Sequence, residues 1–509
     1  MRALVSVSDK TGLLPFVQGL QALGWTIIAT GGTQKLLEEQ GVRTVGISEV
    51  TGFPEILDGR VKTLHPKVHG GILARRDLPE HRQTLAEQGI GTIDLVCVNL
   101  YPFRRTIARA DVSMEEAIEN IDIGGPSMVR SAAKNWRDVT IVCDPADYDA
   151  VLSELRANGR TSDDTRLKLS AKAYTHTAEY DMCIAAWMRR QAGLNEKLFL
   201  AYDLKQALRY GENPHQSANF YAAPQPAPYS LAFARQIQGK ELSYNNIQDA
   251  NAALNVLRDF DAPFCVALKH MNPCGAAVGK TVEEAWQAAY EADTVSIYGG
   301  IVGVNRELTA EVARGMKPIF LEIVIAPSYT PEALEILASK KNLRVLEVPM
   351  EREAQAPMQY VGVNGGLLAQ QLDTAMETVT AEMCVTKLRP TEAQLADLDF
   401  GWRIVKHVKS NAIAVVRDGH TVGVGAGQTN RVGSAEIALK QAQAAGFTEG
   451  LVLASDGFLP FDDTVALAAQ YGVSAIVQPG GSIRDADAVA KADELGITML
   501  FTGIRHFKH

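Results

Sequence analysis

Met1-Arg2-Ala3-Leu4-Val5-Ser6-Val7-Ser8-Asp9-Lys10-Thr11-Gly12 gives a short apolar run, a polar loop and a helix start in immediate succession. Ala3 to Val7 reads as a strand and not as a signal peptide, and Gly12 to Ala22 carries a helical pattern. The succession then repeats. Trp25 to Thr30 reads as a strand, Thr33 to Gln40 as a helix, and Leu95 to Asn99 as another buried strand. Short strands alternating with amphipathic helices imply a parallel sheet covered on both faces. The pattern extends over residues 1 to about 195. In such sheets ligands sit beyond the carboxyl ends of the strands, so the polar loops there are the places to look.

At 509 residues the chain is too long for one core and calls for two or more domains. Its 46% hydrophobic and 21% charged content are ordinary for a soluble globular protein. Lys plus Arg number 50 against 59 Asp plus Glu, and the net charge of -9 argues against a generic nucleic-acid binder. Basic residues are expected instead in local sites for small anions. No apolar run reaches membrane-spanning length, so no membrane partner is expected. The six cysteines, Cys97, Cys143, Cys183, Cys265, Cys274 and Cys384, have no framework spacing, which fits a reducing cytoplasm.

Two loops of the first half suit a phosphate. Ser6 to Gly12 offers Ser8 and Lys10, and Thr30-Gly31-Gly32-Thr33 runs into a helix; both can present backbone N–H groups and hydroxyls at a helix N-terminus. The same residues also cap helices with no ligand present. A denser cluster follows in Asp58-Gly59-Arg60-Val61-Lys62-Thr63-Leu64-His65-Pro66-Lys67-Val68-His69-Gly70-Gly71. Interrupted by Pro and Gly, it reads as an irregular loop, either solvated or built for an anion. Arg60 can clamp such an anion bidentately, with Lys62 as a point charge. Asn99-Leu100-Tyr101-Pro102-Phe103 ends a strand with a phenol, and Asp122-Ile123-Gly124-Gly125-Pro126 opens a helix on which Lys134 lies further along.

In the second half, Ala262 to Leu268 reads as a buried strand leading into Lys269-His270-Met271-Asn272-Pro273-Cys274-Gly275. Polar groups at the end of a buried strand are costly unless used. Lys269 beside His270 offers a proton carrier next to a cation, which suits general acid/base work; a plain return to solvent is the bland alternative. Asn272 to Gly275 has the composition of a turn. The zinc deaminase signature does not fit, because residue 272 is Asn and Pro273-Cys274-Gly275-Ala276-Ala277 lacks a second Cys.

Taken in order, Ser6 to Gly12, Thr30 to Thr33, Gly59 to Pro66, Asn99 to Phe103 and Asp122 to Gly125 resemble the cyclohydrolase half of the bifunctional purine biosynthesis family. That family joins phosphoribosylaminoimidazolecarboxamide (AICAR) formyltransferase to inosine monophosphate (IMP) cyclohydrolase. The resemblance continues through Leu208 to Gln216, Gly239 to Asn246, Lys269 to Gly275, Ser410-Asn411-Ala412, Gly425 to Arg431, Ser455-Asp456 and Arg505 to His509, covering essentially the whole chain.

The resemblance implies an α/β protein: a methylglyoxal-synthase-like parallel-sheet domain over 1–195, then a transformylase domain over 196–509 built of two cytidine-deaminase-like α/β subdomains without zinc. In the first, Lys62 and Tyr101 would stabilise or protonate the formyl oxygen, with Asp122 and Lys134 positioning the amide. Ser8, Lys10, Thr30, Gly31, Gly32, Thr33 and Arg60 would bind ribose and phosphate, with Thr63, Asn99 and Gly124 beside them. In the second, 10-formyltetrahydrofolate would give its formyl group to the AICAR amine, yielding the formylated ribonucleotide (FAICAR). His270 would act as base, Lys269 would stabilise the intermediate, and Asn411 would hold the formyl oxygen.

Arg209 and Tyr210 would grip the phosphate end, helped by Arg431 and by Arg505, Phe507 and His509, a stretch that would otherwise be read as frayed. Asn246, Phe458 and Asp463 match positions contacting substrate or folate. Tyr298, before Gly299, stands where the family has phenylalanine, and Glu322 where some relatives have aspartate. The resemblance further implies a cytoplasmic homodimer with shared formyltransferase sites, and leaves room for a monovalent cation. A chain with one catalytic half and one nucleotide-binding regulatory half is the alternative, but both catalytic sets are present.

Overall fold

The computed structural model describes residues 1–351 and 358–509. They divide into two compact units, Met1–Ala201 and Tyr202–His509.

The first unit is built on five parallel strands: β1 (Arg2–Ser6), β2 (Thr26–Ala29), β3 (Val45–Gly46), β4 (Leu95–Val98) and β5 (Thr140–Val142), in the order β3-β2-β1-β4-β5. Apolar β-branched residues fill them, and β4 is buried along its whole length, as expected for strands covered on both faces. The strand order reverses between β1 and β4, which opens a crevice at their carboxyl ends, where Ser6 pairs with Val98. The helix after β2 starts at Gly31, earlier than expected, so the paired glycines form its first turn behind Thr30. The supposed loop around Lys62 is irregular only in its first part. His65 caps a helix over Pro66–Leu73, its ring accepting from Lys67 N at 3.1 Å, and Pro66 suits the first helical position.

The second unit holds an 11-stranded sheet. The two-stranded hairpin β6 (Asp203–Leu208) and β7 (Ala218–Ala222) stands apart from it. One half of the large sheet comprises β8 (Arg235–Gln238), β9 (Phe264–Lys269), β10 (Asn272–Val278), β11 (Gly300–Val304), β12 (Leu321–Ala326) and β13 (Arg344–Glu347). A second separate hairpin, β14 (Met358–Val363) with β15 (Gly366–Gln371), precedes the other half: β16 (Ile413–Arg417), β17 (His420–Gly425), β18 (Leu451–Ser455), β19 (Val473–Gln478) and β20 (Thr498–Phe501).

The two halves repeat one pattern. An antiparallel hairpin (β9 with β10, β16 with β17) is followed by a strand antiparallel to its first member (β11, β18), then by two parallel additions (β12 and β13, β19 and β20). The halves join through β10 and β17, antiparallel at Ala277 and His420. Each hairpin is preceded by a helix of 14 residues with a capping box, Tyr244–Leu257 and Glu392–Val405.

Asn272 to Gly275 is not a turn but the start of β10, with Pro273 tolerated beside a register shift. The turn is His270-Met271, both at positive φ (51° and 63°).

Candidate active sites

In the first unit the crevice between β1 and β4 widens into a cavity of about 640 Å³. Ser8, Lys10, Thr30, Gly32 and Thr33 line it from the first two loops, and Arg60, Lys62 and Thr63 from the third. Asn99, Tyr101, Asp122 and Gly124 complete the wall. Several of these hold each other. Asn99 Oδ1 accepts from Ser8 N and Asp9 N at 2.6 and 2.9 Å, and its amide donates to Asp9 O. Thr33 Oγ1 bridges Val7 N and Val7 O, both at 3.1 Å. Asn99 and Thr33 therefore shape the first loop, leaving Ser8 and Lys10 at its face.

Arg60 pairs with Glu119, a lining residue the sequence did not single out. Both side chains are exposed, and such pairs contribute at most about 1 kcal/mol, so an incoming phosphate can take Arg60 over. Lys62 Nζ lies 3.8 Å from Glu55, and a side chain at Gly31 would stand 3.4 Å from it. Burial, then the nearby charges of Asp122 and Glu55, raise the Tyr101 phenol above its ordinary range, keeping its proton for donation. Burial also raises the Asp122 carboxyl, opposed by the Gly125 and Tyr101 amides and by Lys62. Asp122 Oδ1 accepts from Gly125 N at 2.7 Å, and Tyr180 Oη takes Asp122 N at 2.7 Å.

Lys134 does not join them. It stands exposed at the far end of the helix Gly124–Lys134, about 9 Å along the axis beyond Met128, the last residue of that helix to line the cavity.

Gly125 is tightly constrained. A Cβ there would come within 2.4 Å of Asp122 Oδ2 and 2.8 Å of Leu100 Cδ2. Gly125→Ala is therefore expected to displace the carboxylate and destabilise the first unit by about 1–3 kcal/mol, which a thermal melt checks.

In the second unit the residues gather where β9 ends and β16 begins. Lys269 Nζ donates to Tyr298 O at 2.9 Å, and Tyr298 packs against Phe320. Gly299 N reaches Phe320 O at 2.7 Å. His270 is exposed, so burial is not what makes it costly; its positive φ is. Three contacts hold that turn: Met271 N to Asp249 Oδ1 at 2.7 Å, Asn272 Nδ2 to His270 O at 2.9 Å, and Lys508 Nζ to Met271 O at 3.4 Å. Asn272 Oδ1 also accepts from Lys409 N at 2.9 Å, tying the turn to the segment before Asn411.

Asn411 Nδ2 donates to Gln428 O at 2.8 Å, and its Oδ1 accepts from Arg431 Nη2 at 2.7 Å. Arg431 is buried and paired with Asp456. In this arrangement it orients Asn411, in place of the free phosphate grip expected of it. A side chain at Gly457 would collide with both Arg431 and Phe507, which brings these two together. The segment Arg505 to His509 is tied down: His506 pairs with Asp373 and Glu377, Arg505 covers the Phe507 ring at 4.8 Å, and Phe507 meets His509 edge-on.

Other expected contacts have occupations of their own. Asn246 closes the capping box on Ser243, Glu322 pairs with Arg344 at 2.7 Å, and Arg209 lies over Tyr210 at 4.8 Å. Phe458 is half-buried in the loop after β18, and Asp463 is exposed at a helix start. Asp249 and Lys508 were missed; Asp249, three residues after Asn246 on one helix, shares a face with it. The Cys274 thiol donates to Ala267 O, and burial pushes it up to about 12. Among the described residues no group of three or more His, Cys, Asp or Glu is placed to hold a metal ion.

The chain is similar along its length to known proteins. Residues 132–441 match the family described as AICARFT/IMPCHase bienzyme, and residues 12–127 match the MGS-like domain. Bifunctional purine biosynthesis protein PurH of Bacillus cytotoxicus is 56% identical over 510 residues, spanning 100% of this chain and 99% of that one. PurH of Streptococcus thermophilus is 56% identical over 514 residues, with the same coverage. The solved structure of ForH is 40% identical over 36% of this chain and 97% of its own, with a TM-score of 0.33.

Proposed function

We infer the residue roles from one premise: the chain belongs to the AICARFT/IMPCHase bienzyme family, and it is a bifunctional enzyme of the last two steps of purine biosynthesis. AICAR is formylated to FAICAR, and FAICAR is closed to IMP with loss of water. The observation that carries the assignment of roles is the convergence of Lys62, Tyr101 and Asp122 in one cavity, with Lys269, His270 and Asn411 around one end of the other sheet. The domain division we propose is cyclohydrolase over 1–195 and formyltransferase over 196–509.

For formyl transfer the donor is 10-formyltetrahydrofolate. The AICAR amine is a weak nucleophile, its lone pair delocalised into the imidazole and carboxamide, so its proton must leave as it attacks. His270, exposed on its turn, takes that proton. Lys269 and Asn411 stabilise the oxygen of the tetrahedral intermediate, and Lys269 or water then protonates the departing folate nitrogen. Arg209, Tyr210, Arg505 and His509 supply the phosphate end, and Phe507 and Phe458 offer apolar faces to the ligands.

For ring closure, the FAICAR carboxamide nitrogen attacks the formyl carbon. Tyr101 or Lys62 gives a proton to the formyl oxygen, Asp122 orients the amide and accepts its proton, and the hydroxyl so formed leaves as water with the proton that Asp122 returns, while a ring nitrogen gives up its proton to the group that protonated the oxygen. Ser8, Lys10, Thr30 and Arg60 hold ribose and phosphate at the strand ends. Because the reacting atoms belong to one molecule, orientation supplies much of the rate. Lys134 does not line the cavity and is given no direct part in this reading.

The test is to supply AICAR and 10-formyltetrahydrofolate and follow FAICAR and IMP together. Sequential appearance of both supports the reading; IMP from added FAICAR with none from AICAR would remove the transfer half.

We also propose a cytoplasmic homodimer that shares its formyltransferase sites. Isolated two-stranded hairpins are marginal in water, yet β14 and β15 expose Met358, Val361, Val363, Leu367 and Leu368. A surface of that kind calls for a partner. All six cysteines are unpaired, in keeping with a reducing compartment. Leu367→Asp/Leu368→Asp is expected to shift the sedimenting species from two chains to one and to reduce formyl transfer far more than ring closure. A protein that stays dimeric, or keeps transfer as a monomer, contradicts the proposal.

A further inference from the structure

Two adjacent non-glycine residues in the left-handed region are an unfavourable way to close a two-residue hairpin. His270 and Met271 do so between β9 and β10. The other half of the sheet closes the equivalent hairpin with Asp418-Gly419, at φ 50° and 73°, a dipeptide suited to that turn. There Asp397, sixth residue of its helix, accepts from both turn amides at 2.9 and 2.7 Å. Asp249, sixth residue of the matching helix, accepts from Met271 N at 2.7 Å. The harder turn gains a different restraint: Lys508 Nζ donates to Met271 O at 3.4 Å and to His407 O at 2.7 Å.

Lys508 is itself fixed beside Asn411. Ser410 N donates to Lys508 O at 2.8 Å, and Lys508 N to Ser410 Oγ at 3.0 Å. Its side chain is half-buried, and burial pushes its ammonium down to about 8, a cost that a lysine serving only solubility would not carry.

We propose that Lys508 is a positioning residue for formyl transfer: by holding the Met271 carbonyl it keeps the strained His270-Met271 turn closed and fixes His270 relative to Asn411. The inference rests on the assignment of His270 as the base.

Lys508→Met is expected to lower kcat for formyl transfer by about 10²-fold, with KM little changed and ring closure from FAICAR intact. In a His270→Ala background the same substitution costs nothing further, because it acts through a residue already gone. Adding Met271→Gly to Lys508→Met restores most of the rate, since glycine takes the left-handed region unaided. Lys508→Arg, which keeps a donor for the Met271 carbonyl, is expected to retain most of the transfer rate; a loss as large as that of Lys508→Met overturns the proposal. Undiminished transfer in Lys508→Met, a full further loss in the His270→Ala background, or no recovery with Met271→Gly each overturns the proposal. Full transfer in His270→Ala alone refutes instead the assignment of the base.

Discussion

His270→Ala lowers formyl transfer to AICAR by roughly 10²–10⁴-fold while leaving ring closure of added FAICAR at the wild-type rate, the range typical of losing a general base. The expectation follows from the position of His270. It is exposed on a turn, its backbone carbonyl is fixed by Asn272, and the adjacent Met271 is held by Asp249 and Lys508. Truncation of an exposed side chain leaves those backbone contacts in place, so the loss reports on chemistry and not on folding. Transfer is followed through release of tetrahydrofolate. A variant retaining more than a tenth of the wild-type kcat would mean that another group, or the substrate's own phosphate, takes the proton.

Lys62→Met has the complementary effect: ring closure falls by about 10²–10³-fold, the usual consequence of removing one oxyanion stabiliser, while formyl transfer persists and FAICAR accumulates. Lys62 is suited to this because it is partly buried, faces Glu55 and Asp122, and has glycines at 31 and 59 leaving it room. Methionine keeps most of the volume and removes only the charge. If closure continues unimpaired, Tyr101 alone protonates the formyl oxygen and Lys62 serves the phosphate.

What could be read without coordinates was what is local. The run from Ala3 to Val7 with its polar loop identifies a βα unit, because a buried parallel strand is apolar along its length. The convergence of Ser8, Thr30, Lys62, Asn99 and Asp122 then follows from one rule about strand ends. Lys134 shows the limit of that inference: it shares a helix with Gly124, but one at the opposite end from the cavity. Arg431 and Glu322 show another. A charged residue in a family motif reads as a ligand contact, whereas Asp456 and Arg344, their partners here, come from distant strands or strand ends that no local pattern reveals.

The repeat within the second unit, implied by the family resemblance as two like subdomains, leaves little trace in the local sequence. Its signature is a pairing scheme, and the only local traces are two capping boxes, Ser243 with Asn246 and Thr391 with Gln394, each followed by an aspartate three residues on. The Asn272 to Gly275 segment misled because its composition favours a turn, while pairing with Lys269 and Leu268 draws it into a strand and moves the turn onto His270-Met271. That shift puts the proposed base at the tip of a hairpin, and it is the step from sequence to function that only the fold could supply.

The account requires two independent catalytic centres that exchange a diffusible intermediate. The most direct measurement is IMP production from AICAR and 10-formyltetrahydrofolate by His270→Ala, by Lys62→Met, and by the two variants mixed. The account predicts little IMP from either alone and restored IMP from the mixture, with FAICAR made by the second variant and closed by the first. If the mixture stays inactive while each variant keeps its own remaining activity, the two centres are not independent and the account is wrong.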